Sequence, residues 1–256
     1  MTMEYSESNH PKFEDLKIGI CYLCGKQLSG ITNKEHIIPN NMFAKGSEHR
    51  PQLLVHQSCN NGKSMVDERF KIRMLTMSSL DPKAAEVLTN ELLIPANLQK
   101  MDAGLIGKSN QIRDYKLART IAKDFEHQFD LLVNGQKIVQ VRASNKHVAE
   151  LNGYASKMTR GLFIRNVPGS SPGRVKLYWI DKKRMALNGD QLQRTMEPLK
   201  SLIDGARSQG KLFAQVWPNI GYLGTESSDV KNAGFVWVEF YNTFGVVAFF
   251  RPPRKK

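Results

Sequence analysis

Two residue pairs of identical spacing, Cys21-x2-Cys24 and His56-x2-Cys59, constrain this chain more than any other feature. Each pair fits a tight turn that aims both side chains at one point. Together they make a Cys3His donor set, a known composition for structural tetrahedral zinc. They also use all 3 cysteines of the chain. The plainer alternative, three buried thiols and a surface histidine, leaves the repeated spacing unexplained. Zinc here fixes the fold of a segment poor in apolar residues. With four protein ligands such a site is closed and structural, not catalytic.

An odd, clustered set of cysteines is not a secreted disulfide scaffold. The first twenty residues lack an apolar signal core, and no apolar run is long enough for a transmembrane helix. A cytoplasmic protein without membrane attachment is the expectation. The 256 residues give room for one large or two modest domains. The net charge of +13 points to a polyanionic partner, most often nucleic acid. Residues 151–256 carry 17 basic and 7 acidic side chains, so the excess sits in the last part of the chain.

A helix is expected just after Asn60, with Val66, Phe70, Met74 and Met77 on one face. Asp81-Pro82 opens another, running to about Leu93. A longer helix fits 113–132, where Leu117, Ile121, Phe125 and Phe129 repeat every four residues. Asn134-Gly135 signals a turn before a strand over 137–142. Asn145 caps a helix that buries Val148, Leu151, Ala155, Met158 and Leu162. Beyond 173 the texture turns to β over 175–180, 212–217, 235–241 and 246–250, interrupted by a helix at about 191–207. The last two strands form a hairpin, whose edge is a candidate surface for a homodimer or partner protein.

Between the two pairs lies Glu35-His36-Ile37-Ile38-Pro39, and Asn60-Asn61 follows the second pair. This constellation resembles the HNH endonuclease family, whose core is a β-hairpin followed by a helix (ββα-metal). The resemblance covers most of residues 18–78. A looser likeness to bacterial stand-alone HNH proteins extends to Lys157–Ile164 and the C-terminal aromatic strands. It implies an α+β fold, with a zinc-stabilised ββα-metal module over 1–80. A mixed helical and antiparallel-β accessory domain over 81–256 then holds nucleic acid. It further implies that His36 is the general base, and that Glu35 and Asn60 ligate a catalytic Mg²⁺ or Mn²⁺. These residue types suit the chemistry. Histidine exchanges protons near neutrality, and a hard cation takes oxygen ligands. The implied activity is hydrolysis of phosphodiester bonds in DNA with weak sequence specificity, in defence against foreign DNA or in DNA processing. The alternative is a zinc-containing nucleic-acid-binding protein of HNH ancestry without catalysis.

Three departures from the family pattern stand out. Glu35 occupies a position where Asp is commonest, and His56 one where cysteine is usual. No Asn occupies 50–55, where the family usually carries a middle Asn that helps orient the base. Gln52 carries an amide there but is not assigned that role from sequence. Lys63 is a candidate phosphate contact. Asp67 lies about two turns beyond Asn60 on the expected helix, although acids there suit a solvated first turn. Lys157, Arg160, Arg165, Arg174, Lys176, Lys182, Lys183 and Arg184 form the basic cluster expected to neutralise phosphates without reading bases. Tyr178 and Trp179 lie among them and are read mainly as strand core.

Overall fold

Short-range chemistry sets the first elements. The computed structural model describes residues 19–61, 63–78, 82–88, 128–133, 136–141, 145–182, 189–227 and 230–252. In the first knuckle the Gly25 N–H donates to the Cys21 carbonyl and the Cys21 N–H to the Lys26 carbonyl, both at 2.8 Å. Strand β1 (Thr32–His36) then pairs antiparallel with β2 (Gln52–His56). Glu35 stands opposite Leu53 and His36 opposite Gln52. A one-turn helix α1 (Gln57–Asn60) leads into α2 (Lys63–Met77). The expected apolar face of α2 holds in part. Phe70 and Met74 are buried, but Val66 is 48% exposed. Ile72, Arg73 and Leu75 are also buried, so the middle of this helix is enclosed on several sides.

Helix α3 (Pro82–Leu88) begins at the expected proline. The expected helix over 113–132 is corrected at its end. Gln128–Val133 is a strand, β3, paired antiparallel with β4 (Gln136–Val141). Phe129, Leu131, Leu132 and Val133 and the β-branched residues of β4 suit a ladder, which prevails over the four-residue repeat. The rest of that expected helix and the Asn134-Gly135 turn lie outside the described residues.

Helix α4 (Asn145–Asn166) buries Leu151, Ala155, Met158 and Leu162 as expected, while Val148 is 40% exposed. Five further strands form one antiparallel sheet: β5 (Val175–Asp181), β6 (Phe213–Val216), β7 (Ile220–Glu226), β8 (Gly234–Phe240) and β9 (Phe244–Phe250). Their order is β5-β9-β8-β7-β6. Helix α5 (Gly189–Ser208) joins β5 to β6. Its Leu199 and Ile203 pack with Leu223, Phe235, Trp237 and Val247 on one sheet face. Residues of α4 cluster with Val236, Val238, Val246 and Ala248 on the other. Covering both faces explains why β8 and β9 are apolar at nearly every position instead of alternating.

Strand β7 is not anticipated from sequence, because Gly221 and Gly224 break its β signal. Packing requires the second glycine. A Cβ on Gly224 would lie 2.5 Å from the Phe235 carbonyl and 2.6 Å from the Phe213 ring.

The architecture is thus mixed α+β with antiparallel sheets. A single cluster of buried residues includes Cys21 and Tyr22 of the knuckle, Ile37 and Leu53 of the hairpin, Phe70 of α2, Met158 of α4 and Val238 of the sheet. Among the described residues no helix is long and apolar enough to cross a membrane.

Gly161 marks the closest approach in this core. A Cβ there would meet Ile37 Cγ2 at 2.8 Å and the Tyr22 ring at 2.9 Å. Gly161→Ala is expected to cost about 1–3 kcal/mol of stability through overpacking. Gly153 lies in the same helix with open space around it. Gly153→Ala is expected to gain about 0.5–1 kcal/mol from helix propensity. Denaturant melts of the two variants check the contrast.

Candidate metal centre

The two knuckles bring their four side chains together. The donor atoms of Cys21, Cys24, His56 and Cys59 all lie within 4.8 Å of one another. His56 Nδ1 is 3.5 Å from Cys24 Sγ and 3.8 Å from Cys59 Sγ. A tetrahedral zinc site, with bonds of about 2.3 Å to sulfur and 2.0–2.1 Å to nitrogen, has sulfur–nitrogen edges of about 3.5 Å. The donor set and its spacing therefore fit, and these residues could hold a metal ion such as zinc. The second ring nitrogen completes the fit. His56 Nε2 lies 3.0 Å from the Gln27 carbonyl and donates to it when Nδ1 takes the metal. The Ser29 N–H, at 3.3 Å, can donate to Nε2 only in the opposite tautomer, where Nε2 carries no hydrogen.

The thiols differ in acidity. Burial opposes ionisation of Cys24. The Lys26 backbone N–H, His56 and the other two cysteines outweigh it and lower the pKa to about 7. Burial and the neighbouring sulfurs push Cys59 up to about 11. Cys24 is exposed and Cys21 is buried.

On the hairpin, alternation along β1 sends the adjacent Glu35 and His36 to opposite faces. Gln52 faces His36 across the ladder. The Gln52 amide nitrogen lies 3.0 Å from His36 Nε2 and 3.4 Å from Nδ1. Glu35 shares the other face with Leu53, which is buried. Two buried phenols on that side escaped the sequence reading. Tyr154 donates to Asp67 Oδ1 at 2.6 Å. Burial raises the pKa of Tyr154 well above the usual phenol value, with the charge and hydrogen bond of Asp67 next, then Tyr22 and Glu35. Burial likewise raises that of Tyr22, followed by the charges of Glu35, Asp67 and Cys21. Asp67 is therefore engaged across helices instead of simply solvated. Its neighbour Glu68 accepts from Asn41 Nδ2 at 2.6 Å. Asn60 ends α1 and is half-buried. Among the described residues no second group of three or more His, Cys, Asp or Glu ligands gathers as the knuckles do.

Among the described residues of the expected basic cluster, several are turned to internal partners. Arg165 is buried and donates to the Tyr222 hydroxyl at 3.2 Å, so it is internal. Arg160 is half-buried and donates to the Gly173 carbonyl at 3.2 Å. Lys182 pairs with the buried Glu239 at 2.6 Å and lies over the Trp237 ring. Lys157, Arg174 and Lys176 are exposed. Lys176 lies 4.9 Å from the centroid of the Tyr178 ring, and Tyr178 is 44% exposed. Trp179 instead stacks on Phe244 and donates to Asn152 Oδ1 at 2.7 Å. The side chain of Lys63, and Lys183 and Arg184, lie outside the described residues.

Elemental analysis is expected to find about one zinc per chain, and Cys59→Ser to lose it. In protein stripped of metal, iodoacetamide near neutral pH is expected to label Cys24 before Cys59, because only the thiolate reacts. Restored zinc is expected to protect all three. Mass spectrometry of the labelled peptides reads the order.

No protein-family model, curated protein or solved structure matches the chain.

Proposed function

We propose that this chain is a metal-dependent endonuclease of the HNH type that hydrolyses phosphodiester bonds in DNA, with His36 as general base. The observation that carries this reading is the contact between His36 and Gln52 at 3.0 Å. It sits on a hairpin whose second strand ends at the metal-ligating His56 and runs on into a helix. The order β1, β2, α2 supports the same reading.

A base needs one ring nitrogen held and the other free. With its amide turned over, Gln52 presents its carbonyl oxygen to the ring. That oxygen accepts the N–H of one ring nitrogen and so orients the imidazole as a base. Gln52 then does what a middle Asn does in the family this chain resembles. Its extra methylene is accommodated because Gln52 lies directly opposite His36 in the ladder. Glu35 and Asn60 supply oxygen ligands of the kind Mg²⁺ or Mn²⁺ takes. When bound, such an ion neutralises charge on the scissile phosphate and the leaving oxygen. The exposed Lys157, Arg174 and Lys176 contribute backbone contacts without base readout.

One observation favours a second reading, a DNA-binding protein without catalysis. Glu35 and His36 occupy opposite faces of the hairpin. Incubation of supercoiled plasmid with Mg²⁺ or Mn²⁺ separates the two. Wild type is expected to nick or linearise the plasmid, and His36→Ala to lose at least about 100-fold in rate. Gln52→Ala is expected to lose about tenfold, the worth of one positioning hydrogen bond. Full cleavage by His36→Ala overturns the base assignment. An inert wild type that still shifts DNA on a gel establishes the second reading.

A further inference from the structure

A cleft of about 560 Å³ opens between α2 and α4, beside the knuckles. Its volume falls within the range of small-molecule sites, about 300–1,000 Å³. The helices do not close on each other here. Long side chains bridge them instead: Arg73 reaches Glu150 at 2.8 Å, and Tyr154 reaches Asp67 at 2.6 Å and stacks on Phe70 at 4.1 Å between centroids. The space left between these bridges has flat and aliphatic walls, including Tyr154, Leu151 and Met158. Arg69 from α2 and Lys157 from α4 also line it. Among the described residues neither has an ion-pair partner. The one acid lining the cleft, Glu150, is already paired with Arg73. The cleft therefore combines an apolar slot with two cations, one on each helix, that have no ion-pair partner among the described residues.

We infer that the α2–α4 cleft binds a nucleoside phosphate, the flat base between the helices and the phosphate between Arg69 and Lys157. A flat apolar body carrying an anion matches both halves of the lining. The choice of a nucleoside phosphate among such anions rests on the nuclease reading above. His36 is not among the residues lining the cleft, although its neighbour Ile37 is, and binding there needs no cleavage chemistry. The nucleotide comes either free or as an unstacked unit of a single strand, and the chemistry recognised is the same.

Calorimetry of the full, zinc-loaded chain with the four deoxynucleoside monophosphates tests this. At least one is expected to bind with a Kd in the micromolar range. The matching nucleoside without phosphate is expected to bind at least tenfold more weakly. Arg69→Gln and Lys157→Gln are each expected to weaken binding about fivefold. Val66→Trp fills the mouth from a position that is 48% exposed, so the fold is retained while binding is lost. A short single-stranded oligonucleotide that competes with the mononucleotide identifies the strand as the source. A mononucleotide that the oligonucleotide does not displace identifies the free ligand. No saturable binding at millimolar concentration overturns the proposal, as does binding that survives both Val66→Trp and the Arg69→Gln/Lys157→Gln double variant. Plasmid cleavage is scored separately. Nucleotide binding without cleavage removes the nuclease and keeps the cleft, and cleavage without nucleotide binding does the reverse.

Discussion

Helix α4 joins the knuckle and hairpin to the large sheet. One side meets the knuckle and hairpin through Tyr22 and Ile37, and another meets the sheet through residues clustered with Val236 and Val238. The near-contact at Gly161 makes that arrangement possible, because any side chain there would hold the hairpin off the helix. Cys21 is itself fully buried in the shared core. Metal binding and hydrophobic packing therefore act on the same residues. Structural zinc contributes about 10–16 kcal/mol of apparent binding free energy, as much as the whole stability of an ordinary domain. Zinc bound here would act on packing that reaches α4 and the sheet, because Cys21 belongs to that cluster.

The positive balance of the C-terminal region divides into different uses. Arg165 supports the interior by bonding the buried Tyr222 hydroxyl, and burial raises the pKa of that phenol. Lys182 neutralises Glu239, which is only 5% exposed. A buried carboxylate without that partner would carry a heavy desolvation cost. Only Lys157, Arg174 and Lys176 of the described members of the expected cluster are exposed. Net charge thus locates a polyanion partner only after the internal cations are set aside.

The Cys3His cluster was legible because ligand spacing is local chemistry: four residues in two short turns leave few other readings. The strands at β8 and β9 were legible from their β-branched and aromatic content. Strand β7 was not, since its Gly224 answers to Phe213 and Phe235, which lie elsewhere in sequence. Strand β3 was hidden because Phe129 fits a helical repeat as well as a ladder. The Gln52 contact depended on register, which no residue type in the hairpin announces. Arg165 has no local signal of burial, and Tyr154 meets Asp67 only because α4 lies against α2.

The long connection between β1 and β2 has its own anchor. Trp217 Nε1 donates to the Glu48 carbonyl at 2.8 Å, Gln215 Nε2 donates to the His49 carbonyl at 2.9 Å, and Phe43 packs edge-on to Trp217. These tie the loop to strand β6, at the far edge of the large sheet. A two-stranded ladder slips readily, and a slip of one residue turns every side chain to the other face. With the loop tethered at its tip and His56 gathered with the three cysteines, both ends of β2 are anchored. The pairing of His36 with Gln52 is thus held in alignment by a strand more than 150 residues away in the chain.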